Sequence, residues 1–229
     1  LEGCKHSVFE ILSNSIDEAR DGNGSKIILT RYNDNSIEVE DFGRGCPVDY
    51  NKAEKCYNWE LVYCELYAGG KYNNNSGENY EFSLGLNGLG ACATQYASEY
   101  MDVEVYRDGC KYDLHFEKGK NIGGLKKEAT KRKQTGTKTH WRPDLEVFTE
   151  IDIEREYFED ILKKQAVVNP NVEFVFRYQR EDNSFEEKTF FYENGIKDYV
   201  AEIVGEDNLT SVQYYTAEDK GRDRADKED

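Results

Sequence analysis

The sequence predicts an α+β fold, a sandwich in which helices cover one face of a mixed, mostly antiparallel β-sheet. Three observations point to this class. The chain opens with a helical periodicity, its middle and late parts alternate in the manner of strands, and short turns rich in Gly, Asn and Asp join those strands. A length of 229 residues suits one large domain or two small ones.

The first half of the chain is predicted to be helical at its start and around its middle. Apolar residues recur at helical spacing in the first segment, and two glycines follow it. We expect helices at Lys5–Arg20, 51–67 and Gly88–Ser98, and strands at Lys26–Tyr32 and Ile37–Glu40. A long polar stretch at 69–87 separates the second and third helices, and a loop of that length is typical of a lid, a binding loop or disorder.

The second half of the chain is predicted to be mostly β-structure. Asp108-Gly109 is a strong hairpin signal, with an alternating segment on each side. We expect strands at Met101–Arg107, Cys110–Glu117, Thr137–Arg142, Val172–Tyr178 and Glu187–Tyr192, and helices at Arg155–Val167 and Gly195–Val204. The basic stretch Lys118–Gln134 is expected to be a solvated connection, and a charged tail begins after Ala217.

Composition limits the function classes. The chain has 46 acidic and 30 basic residues, a formal net charge of −16, and 38% hydrophobic residues, too many for a disordered acidic polymer. The acidity argues against a domain that binds nucleic acid by itself, because phosphate binding needs clustered Lys and Arg. No apolar run approaches the roughly 18 residues of a membrane span, and the first residues lack the apolar core of a signal peptide. We therefore expect a cytoplasmic protein without a membrane partner.

Six cysteines and three histidines are present, and no two cysteines form a CxxC pair. A zinc site is therefore not expected. Without a secretion signal, the cysteines are expected to be free thiols that serve as small core residues.

One face of the first predicted helix carries polar side chains that could bind a metal–phosphate group. Glu10, Asn14 and Asp17 fall within roughly 60° of one another, opposite the apolar set. An ordinary solvated face is the simpler interpretation. The alternative is that Asn14 offers a neutral oxygen to Mg²⁺ and Glu10 orients or deprotonates a water molecule.

Two glycine motifs add candidate binding groups. In Asp41-x-Gly43-x-Gly45 the carboxylate could accept a hydrogen bond from an exocyclic amine while the glycines admit a flat ring, although a simple tight turn has the same composition. The run from Gly85 to Gly90 leads into a helix and could cradle phosphates. It follows a polar loop rather than a strand, which disfavours a dinucleotide-binding fold.

Together these motifs resemble the GHKL ATPase family, and within it the ATP-binding domain of the B subunits of bacterial type IIA DNA topoisomerases, gyrase and topoisomerase IV. The resemblance covers about Leu1 to Tyr215. Its motifs are Phe9–Ala19, Val39–Pro47, Ala68–Tyr72, Gly85–Gly90 and Thr135–Thr137. It implies an ATP-binding domain at 1–216 with an ATP lid at 69–87. It also implies that the tail at 217–229 leads towards a transducer domain that this sequence lacks.

The resemblance implies a role for each matching residue. Glu10 would be the general base that activates water, Asn14 the Mg²⁺ ligand, and Asp41 the partner of the adenine amino group. Thr137 would support adenine recognition, Ile11 and Val39 would line the base pocket, and Arg44 would cover its edge, paired with Glu18. The remaining ATP-binding positions would be Asp17, Gly43, Gly45 and Pro47, with the phosphates held by Lys71 and by Leu86, Asn87, Gly88, Leu89 and Gly90.

The resemblance also implies an activity and partners. The expected activity is Mg²⁺-dependent ATP hydrolysis that powers DNA strand passage through ATP-driven dimerisation. The partners would be a second B subunit, the A subunit, and DNA that is bound by the holoenzyme and not by this region. The region by itself should turn over ATP slowly. ATP-competitive inhibitors are possible ligands, but Asp113 stands where an arginine often contacts aminocoumarins, so weak aminocoumarin binding is expected.

Several alternatives stay open. They are another GHKL protein, such as a chaperone, a mismatch-repair ATPase or a histidine kinase, and a non-enzymatic acidic interaction domain. The sequence does not separate gyrase from topoisomerase IV.

Overall fold

A computed structural model describes residues 1–66, 89–205 and 215. Within these ranges five helices are present: α1 (Glu2–Arg20), α2 (Asn58–Tyr63), α3 (Gly90–Tyr96), α4 (Arg155–Val168) and α5 (Ile196–Val204). The strands are β1 (Lys26–Arg31), β2 (Ile37–Asp41), β3 (Tyr50–Asn51), β4 (Cys56–Tyr57), β5 (Ser98–Arg107), β6 (Cys110–Glu117), β7 (Lys120–Asn121), β8 (Lys126–Ala129), β9 (Gly136–Pro143), β10 (Glu173–Gln179) and β11 (Phe185–Phe190).

A nine-stranded sheet organises the described part of the chain. Its strand order is β11-β10-β1-β2-β9-β5-β6-β7, and β8 pairs with β6 beside β7. β1 and β10 run parallel, whereas the other pairs in this sheet are antiparallel. The predicted α+β class with a mixed, mostly antiparallel sheet is therefore confirmed.

The helices pack on one face of this sheet. α1 contacts β1, β2 and β9, α3 contacts β5, and α4 contacts β10 and β11. Side chains pointing towards the helices are almost fully buried, among them Leu29, Val39, Met101, Trp141 and Phe174. The alternate residues form what we call the open face: Glu38, Glu40, Asp102, Glu104, Asp113, His115, Lys138 and His140, all half-buried. Period-two alternation of strand side chains produces this division.

The predicted helix over 51–67 is wrong in its first part. Residues 50–57 form the β3–β4 hairpin, and the helix covers only Asn58–Tyr63. The side chain of Asn51 accepts hydrogen bonds from the backbone N–H groups of Ala53 and Glu54, which stabilises a turn instead of a helix. The helix then begins directly after Tyr57, whose N–H donates to Glu60 at 2.7 Å.

The stretch Lys118–Gln134 was expected to be a solvated connection, and that expectation is wrong in part. It contains β7 and β8, both paired with β6. An unpaired strand edge offers a row of backbone donors and acceptors, so even a strongly polar segment can add to it. The four residues of β8 are all exposed, which is why they lack the apolar alternation that would have predicted a strand.

Cys4 and Cys92 are buried, as expected for core thiols, whereas Cys46, Cys56, Cys64 and Cys110 are only half-buried. None of the helices in the described ranges combines the length and apolarity that a membrane crossing requires. The predicted lid at 69–87 and the tail at 217–229 lie outside the described residues, and the domain boundary at 216 remains a prediction.

Candidate functional site

Asp41, at the end of β2, is the centre of the site. Its side chain is 6% exposed, and it accepts hydrogen bonds from Ser15 Oγ at 2.8 Å and from the backbone N–H groups of Gly43 at 3.0 Å and Thr137 at 3.2 Å. Burial raises the pKa of Asp41, and the three hydrogen bonds oppose that rise. Among the described residues, no Lys or Arg pairs with this carboxylate.

Glycines allow three chain segments to converge on Asp41. A Cβ on Gly43 would lie 2.9 Å from the Cβ of Glu18, so glycine lets this loop pass close to α1. A Cβ on Gly136 would overlap the carbonyl oxygen of Asp41, so β9 can begin directly against the end of β2. The first glycine of the DxGxG motif, Gly43, is thus required for close packing.

Arg44 and Glu18 form a pair at the rim of the site. Arg44 Nη2 lies 2.7 Å from Glu18 Oε1, and the backbone N–H of Arg44 donates to Glu18 Oε2 at 3.0 Å. The hydrogen bond to Glu18 raises the pKa of Arg44 above its ordinary value. This is the pairing that the family resemblance implied. Its role towards a ligand remains a prediction.

Glu10 lies against the start of α3. A Cβ on Gly90 would overlap Glu10 Oε2, so the carboxylate rests on the glycine that begins this helix. Glu10 also pairs with His6 Nε2 at 3.0 Å, one turn earlier on α1. The structure therefore brings together two sequence motifs, the polar face of α1 and the glycine run before α3, that are about 80 residues apart.

The remaining described candidates surround these groups. Asn14 is exposed on α1 between Glu10 and Asp17, which are half-buried. Ile11 and Val39 are 4% and 1% exposed and belong to the main core cluster. Four candidates, Lys71, Leu86, Asn87 and Gly88, lie outside the described residues, and Leu89 directly precedes α3.

Gly45, Pro47 and Thr137 meet through Cys46. The N–H of Cys46, which lies between Gly45 and Pro47, donates to Thr137 Oγ1 at 2.8 Å. Gly45 has a φ of +85°, and a Cβ there would lie 2.9 Å from the carbonyl oxygen of Tyr106. Thr137 therefore fixes the DxGxG loop with its hydroxyl and holds Asp41 with its N–H.

The sequence motifs include Ser15, Cys46 and Gly136, but the sequence indicated no individual role for them. Ser15 is 4% exposed and lies among the buried positions of α1, so a polar residue on the apolar arc was the available signal. Gly136 gave only a weak signal, because a glycine before a strand usually marks a turn.

The donor types on this face of α1 fit a hard cation such as Mg²⁺. An exposed amide oxygen on Asn14 lies between two carboxylate residues, and Mg²⁺ prefers oxygen ligands of this kind. In the described ranges, no cluster of three or more His, Cys, Asp or Glu side chains could hold a metal.

Known proteins share more than a third of their aligned residues with this chain. The chain is 37% identical to the B subunit of DNA topoisomerase 4 from Escherichia coli over 200 residues, which is 87% of this chain and 31% of that protein. It is 36% identical to the B subunit of DNA gyrase from Thermotoga maritima over 199 residues, 86% of this chain and 30% of that protein. The chain is a homologue of bacterial type IIA topoisomerase B subunits.

The structural comparison agrees with the sequence comparison. The 43K ATPase domain of Thermus thermophilus gyrase B, solved in complex with an aminocoumarin, superposes with a TM-score of 0.75 at 26% identity, covering 90% of this chain and 50% of that one. No protein-family model matches the chain. This B-subunit homologue spans about a third of the length of the curated relatives it matches. The resemblance drawn from the motifs is confirmed.

Proposed function

We propose that this chain binds and hydrolyses ATP as the nucleotide-binding module of a topoisomerase B subunit. The observation that carries the proposal is the buried carboxylate of Asp41. It accepts three hydrogen bonds, and no Lys or Arg among the described residues pairs with it. A buried charge without a counter-ion is costly for the fold, so its presence at the convergence of three segments supports a binding role.

The hydrogen bonds of Asp41 leave room for one ligand group. A carboxylate offers about four lone-pair positions, and Ser15, Gly43 and Thr137 occupy three of them. The exocyclic amine of adenine is a donor that fits the remaining position. Guanine carries a carbonyl oxygen there, which would face the carboxylate as a second acceptor, so the site should reject GTP.

Glu10 and Asn14 supply the chemistry at the phosphate end. We assign Glu10 to orient and deprotonate the attacking water, because its carboxylate is half-buried and lies on Gly90 at the start of α3. Asn14, one turn further along the same face, would hold Mg²⁺, which neutralises phosphate charge when bound. Asp17 extends this face. Lys71 and residues 86–90 would complete the phosphate contacts.

In the holoenzyme, which also contains the A subunit, ATP binding by this module would drive B-subunit dimerisation and DNA strand passage. We place this work in the cytoplasm. This part of the proposal rests on the relatives, whose names identify them as subunits of DNA topoisomerases.

Thermal unfolding with and without Mg²⁺-ATP tests the proposal. A ligand that binds only the folded state raises the melting temperature. We expect ATP, but not GTP, to protect the wild-type chain, and we expect Asp41→Asn and Asn14→Ala to lose that protection. Asp160→Asn, an exposed position on α4, is the matched control and should keep it. Equal ATP protection of Asp41→Asn would overturn the assignment of that residue.

The alternatives from the sequence have distinct outcomes. Absence of any nucleotide protection would favour an acidic interaction domain. ATP hydrolysis that supports no topoisomerase activity, when the full-length protein is combined with the A subunit, would favour another GHKL ATPase. The introduction of negative supercoils would identify gyrase over topoisomerase IV.

A further inference from the structure

A strongly basic segment lies on this acidic chain. Residues 118–134 contain seven Lys or Arg and one Glu, whereas the whole chain has a formal net charge of −16. We call these residues the basic segment. They include β7 and β8, which pair with the outer edge of β6, so the segment lies at one end of the sheet.

The end of the basic segment lines a cavity of about 260 Å³ with the β5–β6 turn. Four cationic residues line it, Arg107, Lys131, Arg132 and Lys133, and no carboxylate does. Thr130, Gln134 and Thr135 add polar side chains to its wall. A concave surface lined by cations and hydroxyl groups is suited to phosphate oxygens.

The four cations differ in how far they are neutralised. Arg132 is anchored, with Nη1 3.2 Å from Glu40 Oε1 and its guanidinium 3.8 Å from the centre of the Tyr106 ring. Arg107 Nε lies 3.3 Å from Asp108 Oδ2. Lys131 and Lys133 are exposed on either side of Arg132, and within the described ranges neither has an ion-pair partner. The positive charge available to a ligand is therefore that of the two lysines.

We infer that this cavity and the adjoining basic segment bind the phosphodiester backbone of duplex DNA. The segment continues from the cavity along β8 through Lys126 and Lys127, both exposed. Such an extended row of cations suits a polyanion with regularly spaced phosphates. A free nucleotide fits less well, since Arg132 already covers one face of the Tyr106 ring, where a base would otherwise stack.

This inference departs from the expectation that DNA is not bound by this region, which rested on the net charge of −16. Salt screens exposed charges beyond roughly 8–10 Å, so a nearby phosphate senses the local lysines more than the distant carboxylates. The acidity of the rest of the surface makes the contact weak, as suits DNA that must pass through an enzyme. The inference rests on the proposed function, because a topoisomerase module works beside DNA.

Fluorescence anisotropy with a labelled duplex of about 20 base pairs, at about 50 mM salt, tests the inference. The test variant is K131E/K133E. The control is K164E/K197E, which makes the same change of charge at exposed positions on α4 and α5, near the opposite edge of the sheet. We expect the test variant to lose affinity by about tenfold or more and to lower the slope of log K against log salt by about two, while the control changes little.

Three outcomes would overturn the inference. The first is equal losses in the two variants, and the second is no binding by the wild-type chain. The third is displacement of the duplex by polyglutamate as readily as by unlabelled DNA, which would point to an acidic protein segment instead. Mg²⁺-ATP protection, measured in parallel, should persist in K131E/K133E. Its absence from the wild type would count against the proposed function alone.

Discussion

Ser15 and Asp41 show how single residues control the energetics of the site. Asp41 is buried without a described cation, so burial raises its pKa while Ser15, Gly43 and Thr137 stabilise the charged form. A folded-state pKa above the unfolded value favours the fold at low pH, and that contribution is lost as the pH rises through the folded pKa. Above the folded-state pKa the ionised carboxylate therefore reduces stability, which its proposed role in binding adenine explains.

Asp41→Asn is expected to stabilise the fold at neutral pH by about 1 kcal/mol. The amide keeps an acceptor for the N–H groups of Gly43 and Thr137, and its NH₂ can donate to Ser15. Urea unfolding at several pH values measures the difference from wild type, which should shrink as the pH falls towards 4. Asp160→Asn, at an exposed position on α4, is the control for the loss of one carboxylate. A variant less stable than wild type at every pH would contradict this account of Asp41.

Gly90→Ala is expected to destabilise the fold by about 1–3 kcal/mol, because the new Cβ would lie 2.8 Å from Glu10 Cβ as well as overlap Glu10 Oε2. In most helices a Gly→Ala change stabilises the fold, so a loss of stability here would indicate a steric clash. A double-mutant cycle with Glu10→Ala isolates the contact. With Glu10 truncated, the cost of Gly90→Ala should fall, and the Cβ of residue 10, which lies 2.8 Å from the new methyl group, keeps part of that cost. The same cost in both backgrounds would show that the glycine is required for another reason.

At the scale of elements, charged side chains on the open face connect β5 with β6. His115 on β6 has Nε2 3.0 Å from Glu117 and Nδ1 2.5 Å from Asp102 on β5. Hydrogen bonds to Glu117 and to Asp102 raise the pKa of His115 above 6.5. In its protonated form the ring links the neighbouring strands electrostatically.

His115→Gln is expected to cost stability below about pH 6.5 and to cost progressively less as the pH rises through the raised folded pKa. The sign follows because the folded state binds the proton more tightly than the unfolded state. The effect should be modest, since the side chain is partly exposed. The melting temperatures of wild type and variant, compared from about pH 5.5 to about pH 8.5, measure this loss of stability. A difference in melting temperature that grows as the pH rises would contradict the prediction.

Element boundaries were predicted best where the signal is local. The periodicity of α1 and α4 and the turn residues of the β5–β6 hairpin lie within the segments concerned, and these elements are present. β3, β4 and β8 were missed because pairing with a neighbouring strand decides them, and Asn51 stabilises its turn through contacts that periodicity does not record.

On the scale of the whole molecule, the net charge of −16 and its uneven distribution matter most. A strongly acidic surface repels itself and lowers the stability of the compact state. The basic segment lies at one edge of the sheet, where it reduces this repulsion locally and leaves a cationic patch. The total charge alone hides that arrangement.

Raising the salt concentration from about 20 to about 300 mM is expected to raise the melting temperature, because it screens the repulsion among the acidic side chains. The exposed ion pairs oppose this effect only weakly, at about 0–1 kcal/mol each. A neutral osmolyte series controls for solvent exclusion. A melting temperature that falls with salt would mean that the ion pairs outweigh the net repulsion.

The sequence by itself determined the fold class, most elements, the motifs centred on Glu10, Asp41 and Gly90, and the family. These depend on periodicity, turn chemistry and residue types, which are local properties. Only the tertiary structure decided that Ser15 and Thr137 hold Asp41, that Glu10 rests on Gly90, and that Lys131 and Lys133 flank a cavity without carboxylates. These contacts join segments far apart in sequence, and their existence depends on how the sheet and α1 pack together.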